Sequence, residues 1–149
     1  MKRSLDSLEI LLVEDNPQDA ELVIRALGRR NLAHHLVQVP DGQAALDFLF
    51  GTGAHKGRDV RKQPKVVLLD LKLPKVDGIE VLRRIRADAH TKQVPVVILT
   101  SSHEARDITD AYELGANSFI VKPVEFETFL NVISDTGLYW LRTNVASNS

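Results

Sequence analysis

Five short apolar runs, with helical-period segments between them, constrain this chain more than any other feature of its sequence. The runs are Ile10–Val13, Leu36–Val39 with Gln38 inside it, Val66–Leu69, Val94–Leu99 around Pro95, and Phe119–Val121. All contain valine or isoleucine, and four of the five carry no polar residue. A strand with one wet face alternates. An unbroken run of this length instead fits a strand buried on both faces, as in a parallel sheet covered by helices. Leu36–Val39 is the weakest of the five as a strand.

The segments between the runs have the period of helices. Ala20, Val23, Ile24 and Leu27 form one apolar stripe, with Asn16 as N-cap, Pro17 as first helical residue and Asp19 in the first turn. Asp41-Gly42 opens a second helix carrying Ala45, Leu46 and Leu49; Gly78 opens a third with Val81, Leu82, Ile85 and Ala89. Ser102 is the expected cap of a fourth, with Ala105, Ile108 and Tyr112 facing inward and Gly115 ending it. A fifth starts near Glu125, with Phe126, Phe129, Leu130 and Ile133 on one face. The β-α alternation, five times over, implies a parallel sheet with right-handed crossovers. Gly51–Pro64 interrupts it with three glycines and Lys56, Arg58, Arg61 and Lys62, and reads as a solvated loop. Residues 143–149 read as a frayed tail.

At 149 residues the chain is the size of one domain. It contains no cysteine, which excludes thiol catalysis, Cys-ligated metal and disulfides. A formal net charge of -1 gives no global field toward nucleic acid or an anionic membrane. No apolar stretch approaches the ~18 residues of a membrane span or the core of a signal peptide. The expectation is a soluble, cytoplasmic, single-domain protein.

In a parallel sheet the C-terminal ends of the strands share one rim, and ligands of open α/β folds bind there. Glu14 and Asp15 follow the first run, Asp70 the third, Thr100 and Ser101 the fourth, and Lys122-Pro123 the fifth. Two like charges ~4 Å apart repel by about 4 kcal/mol at a protein surface, so three gathered carboxylates call for a cation. Lys122 offers one charge, and the oxygen-rich remainder suits a hard divalent ion such as Mg²⁺. Helix capping explains Glu14-Asp15 on its own but leaves Asp70 and Lys122 unexplained. Thr100 also reads as a strand-end hydroxyl, Lys122 as a surface lysine, Phe119 as a core aromatic and Pro123 as a strand terminator. His34 and His35 point to opposite faces of a strand and make no metal site.

The stretches LLVEDN around Asp15, VVLLDLKLPKVDG around Asp70, VPVVILTSS around Thr100 and FIVKPV around Lys122 together resemble the receiver domain of response regulators. The resemblance runs from Leu8 to about Leu141. It implies the flavodoxin-like, doubly wound (βα)5 fold with strand order 2-1-3-4-5. It further implies that Asp70 accepts a phosphoryl group from a sensor histidine kinase. Asp15 and Asp70 would bind Mg²⁺ directly, Glu14 through water, and Lys72 through its backbone carbonyl. Lys122 and Thr100 would contact the phosphoryl oxygens, Phe119 would act with Thr100 as a switch, and Lys122-Pro123 would be a cis peptide. Lys72 sits where the family varies and where the side chain influences dephosphorylation.

Within the family, the glycine-rich insertion, LDLKLPK and Tyr139-Trp140-Leu141 resemble stand-alone regulators partnered with phytochrome-type kinases. That implies a signalling protein whose only chemistry is its own phosphorylation and dephosphorylation, and whose output is protein contacts, with no output domain. A haloacid dehalogenase-type phosphotransferase would need an aspartate where Lys72 stands. A flavodoxin-type flavin module would need a phosphate loop where Glu14-Asp15 stand. A receiver fold that only binds partners would not need the full acid set. The apolar cluster Leu138–Leu141 exceeds one buried stripe, and the expectation is a homodimer with Tyr139 or Trp140 in or beside the contact.

Overall fold

The structure, a computed structural model, describes residues 10–29, 35–102, 104–122 and 127. Five parallel strands form one sheet: β1 (Ile10–Val13), β2 (Leu36–Val39), β3 (Val66–Leu69), β4 (Val96–Thr100) and β5 (Ser118–Val121), in the order β2-β1-β3-β4-β5. Helices α1 (Pro17–Gly28), α2 (Gly42–Phe50), α3 (Gly78–Ala87) and α4 (Ala105–Glu113) connect them. The expected strand order and doubly wound fold are therefore present.

Alternation along each strand sorts the core into two layers. Leu11, Val13, Val67, Leu69, Val96 and Ile98 pack against Leu46, Leu49, Val81, Leu82 and Ile85 of α2 and α3. Ile10, Leu12, Val66, Leu68, Val97, Leu99 and Ile120 face the other way, with Ala20, Val23, Ala26 and Leu27 of α1 among them. Both faces of β1, β3 and β4 are dry, which is why these strands read as unbroken apolar runs. β2 lies at an edge, so Gln38 is exposed and its amide donates to the Glu14 carbonyl. Each fully buried leucine or isoleucine contributes about 1.5–3 kcal/mol.

The helix starts follow the capping residues. Asn16 Oδ1 accepts from the N–H groups of Gln18 and Asp19, and Asp41 and Asp77 cap α2 and α3 in the same way. Three expectations need correction. Ala89 is exposed and lies beyond α3, because Asp88 turns to extended backbone and its carboxylate accepts from His90 N–H. In α4 the buried residue is Ala111, while Ala105 and Tyr112 are exposed. This helix lies at the sheet's margin, beside α3 and β5, so its dry stripe is narrow. Ser102 does not cap α4; the N-cap position is Glu104, which makes no side-chain capping bond, and the Ser102 hydroxyl donates to Asp107.

The insertion 51–64 is more than a solvated loop. Gly51 and Gly53 take left-handed backbone around a short 3-10 turn, Gly53–His55. The Arg58 guanidinium stacks 4.0 Å from the Phe48 ring and donates to the Phe48 carbonyl at 2.7 Å. Gln63 bonds the Leu49 and Val60 carbonyls, and Pro64 is buried. Lys56, Arg61 and Lys62 remain exposed, as expected of a loop. The fifth helix, with Phe126, Phe129, Leu130 and Ile133, lies outside the described residues, as do His34, Pro123, Tyr139, Trp140 and the tail. No helix among the described residues is long and apolar enough to cross a membrane.

Candidate functional site

The sheet delivers its acids to one rim through backbone register. Glu14 N–H continues the ladder to the Val39 carbonyl, and Asp70 N–H continues it to the Val13 carbonyl, so the two residues leave adjacent strands side by side. Glu14 is 1% exposed and Asp70 6%, whereas Asp15 faces solvent. One carboxylate oxygen from each of Glu14, Asp15 and Asp70 falls within 4.8 Å of the other two. Lys122, at the end of β5, sends its ammonium into the same cluster. Its Nζ donates to Glu14 Oε1 at 2.8 Å, Asp19 Oδ2 at 2.9 Å and Asp70 Oδ2 at 3.4 Å.

Burial pushes the Glu14 carboxyl above its ordinary range, and the neighbouring Asp70 charge adds to this. The Lys122 ammonium and the Asn16 N–H pull it back in part. For Lys122, burial alone would favour the neutral amine. Its bonds to Glu14 and Asp19 and the charges of Asp70 and Glu14 outweigh burial and hold it above its ordinary value. One ammonium thus answers Glu14, Asp19 and Asp70 at once, while Asp15 adds a further negative charge at the surface. An all-oxygen donor set with surplus negative charge and an open, wet side fits a hard divalent cation that keeps several waters.

The loop between β3 and α3 forms the floor of an adjoining cleft of about 450 Å³, lined by Asp15, Leu71, Lys72, Leu73, Pro74, Asp77, Ile79 and Asp107. Its path is tightly held. Val76 N–H reaches back to the Pro74 carbonyl across Lys75, whose φ of 70° is the strained sense for an L-residue. A Cβ on Gly78 would lie 2.2 Å from the Asp70 carbonyl oxygen, and one on Gly42 would lie 1.7 Å from that of Val76. The two glycines therefore let α2 and α3 start flush against the loop that carries Asp70. Lys72 N–H donates to Asp70 Oδ1 at 3.1 Å and fixes that carboxylate's orientation. The Lys72 side chain turns away to Asp107 at 3.6 Å, a carboxylate that also accepts from Ser102. The Ser102 bond leads in holding Asp107 below the usual carboxylate range; burial opposes it and Lys72 assists it.

Of the residues expected from sequence, Glu14, Asp15, Asp70 and Lys122 meet as one cluster. Thr100 ends β4 at the same rim, fully buried, with its Oγ1 accepting from Ser102 N–H at 3.4 Å. Lys72 lines the cleft beside Asp15. Phe119 is half-buried on β5 opposite Ile98, its ring 6.5 Å from that of exposed Tyr112. Two participants were not expected. Asp19 reads in sequence only as an acid in the first turn of α1, and nothing in the sequence singled out Asp107. Position offers the one available signal: both lie in the first turn of helices that start at the acidic rim.

Residues 10–134 match the family described as the response regulator receiver domain. The probable methanogenesis regulatory protein FilR2 of Methanothrix harundinacea is 42% identical over 139 residues, covering 93% of this chain and 87% of the relative. Among solved structures, the phosphorylated cyanobacterial phytochrome response regulator RcpA superposes with a TM-score of 0.79 at 36% identity, covering 91% of this chain and 95% of that one. The Mn(2+)-bound form of response regulator Rcp1 gives 0.78 at 37% identity, covering 91% and 96%. With the acid cluster, the lysine and the strand order in place, the chain belongs to the receiver-domain family of response regulators.

Proposed function

We propose that this protein is a cytoplasmic single-domain response regulator that takes a phosphoryl group from a sensor histidine kinase onto Asp70. The observation that carries the reading is the convergence of Asp70, Lys122 and two further acids at the end of β3. In the transfer, an Asp70 carboxylate oxygen bonds to phosphorus as the bond from phosphorus to the donor's imidazole nitrogen breaks. Such transfer depends on positioning and charge neutralisation more than on covalent chemistry by the protein. Lys72 N–H holds one Asp70 oxygen, leaving the other toward Lys122. In this reading Lys122 and Thr100 meet the phosphoryl oxygens. Asp15 and Asp70, with Glu14 through water and the Lys72 carbonyl, would hold Mg²⁺, which when bound neutralises charge on the phosphoryl oxygens. The metal in Mn(2+)-bound Rcp1 and the phosphorylated state of RcpA support this reading.

The name of RcpA supports a bilin photoreceptor kinase as the phosphodonor. Phosphotransfer profiling against the histidine kinases of the source genome tests it: a phytochrome-type kinase should label this protein fastest. Equal labelling by unrelated kinases would remove that partner.

Output through protein contacts fits a homodimer using α4, β5 and the Tyr139-Trp140 segment. The exposed Tyr112 beside half-buried Phe119 supplies an aromatic start to that face. Sedimentation should give a dimer that Trp140→Ala weakens. A strict monomer at tens of micromolar, phosphorylated or not, would reject it.

A further inference from the structure

An ammonium has three N–H donors, and in Lys122 all three are engaged. The bond to Asp70, at 3.4 Å, is the longest; the two short ones go to Glu14 and Asp19, both contributed by the segment that leaves β1 and enters α1. The two short bonds hold the ammonium closer to Glu14 and Asp19 than to Asp70, so drawing it onto a phosphoryl oxygen at Asp70 stretches or breaks one of them. The partners differ in what release costs. The Glu14 side chain is 1% exposed, and a buried carboxylate stripped of its counter-charge is expensive. The Asp19 side chain is 37% exposed, so it rehydrates when the lysine leaves. It also sits in the first turn of α1, where the helix dipole favours a negative charge. Release of Asp19 is the cheaper exchange.

We propose that Asp19 is a positioning residue that holds Lys122 back from Asp70 in the unphosphorylated state and thereby lowers the site's affinity for a phosphoryl group. The inference rests on Asp70 as the phosphoryl acceptor. Asp19 is suited to the role because its backbone is fixed: Pro17 starts the helix, and Asp19 N–H donates to the Asn16 cap at 3.0 Å. The carboxylate is thus held at one place on the rim while the flexible lysine stem moves.

The test uses beryllofluoride, a phosphoryl mimic, titrated against the whole protein at saturating Mg²⁺. Asp19→Asn removes the charge, keeps the backbone cap and retains only a weaker, neutral acceptor for Lys122. It should bind beryllofluoride about threefold to fivefold more tightly than wild type, the size of one half-exposed ion pair. Removing any acid from α1 would favour an anion somewhat, so Glu21→Gln is the control. Glu21, two residues beyond Asp19 on the same helix, pairs with Arg25 and takes no part in the lysine cluster. Its affinity should match wild type. Unchanged or weaker binding by Asp19→Asn would overturn the proposal, as would an equal gain in Glu21→Gln. Failure of wild type itself to bind beryllofluoride with Mg²⁺ would instead remove the phosphoryl-acceptor reading on which the proposal stands.

Discussion

Glu14 shows how a single side chain is set by its surroundings. Its carboxyl is buried beside Asp70, and Lys122 only partly offsets the cost of ionising it, so its pKa lies above the ordinary 4.5. A raised carboxylate contributes stability below its unfolded pKa and loses that contribution as pH rises through the folded value. In metal-free buffer, the unfolding free energy of wild type minus that of Glu14→Gln should therefore fall as pH climbs from below 4.5 toward neutrality. Denaturant titrations of both proteins at several pH values check this. A flat difference would mean that Glu14 is not held in the environment described. Among the described residues, the other acids that depart from ordinary values, Asp47, Asp59 and Asp107, are shifted downward by hydrogen bonds and neighbouring cations, so their effect on stability has the opposite sign. They are common to both proteins, so the comparison isolates Glu14.

Among the elements, the 51–64 insertion gives the clearest case of structure hidden in a polar sequence. Arg58 lies over Phe48 and bonds the carbonyls of Phe48 and Lys62, so it closes the loop onto the end of α2. Arg58→Ala should cost about 1–2 kcal/mol, the sum expected of a cation–π contact and charge-assisted bonds that are partly exposed. It should also make 51–64 the first site of limited proteolysis, while cleft residues stay protected. Unaltered stability and proteolysis would mean the insertion is held by other contacts. α4 carries a related lesson. Its apolar residues suggested Tyr112 as inward-facing, but a nine-residue helix at the margin of the sheet buries only Ala111, and Tyr112 leans on Phe119 instead. Periodicity locates a helix; how much of its stripe is dry depends on what lies beneath it.

Over the whole molecule, the fold was readable because unbroken Val/Ile/Leu runs admit few arrangements other than a doubly covered parallel sheet. That sheet then forces Glu14, Asp15, Asp70, Thr100 and Lys122 to one rim whatever their separation in sequence. The contacts that tune the rim were not readable. Lys122 to Asp19 and Lys72 to Asp107 join helix first turns to the end of β5 and to the β3–α3 loop, and acids in a first turn are sufficiently explained by the helix dipole. The tight seats at Gly42 and Gly78 likewise depend on where a neighbouring loop passes. The insertion leads into the N-terminal end of β3, so its exposed Lys56, Arg61 and Lys62 lie toward the rim opposite the acids. In the proposed function this architecture serves to place one phosphoryl group on Asp70. Acid-labile phosphate, measured after incubation with a phosphorylated histidine kinase and Mg²⁺, tests it most directly in wild type and Asp70→Asn. Wild type should take up one phosphoryl group per chain, mapping to Asp70, with none in the variant or in wild type stripped of divalent ions. Undiminished acid-labile phosphate on Asp70→Asn would mean that the phosphoryl group is carried elsewhere and that Asp70 is not the acceptor.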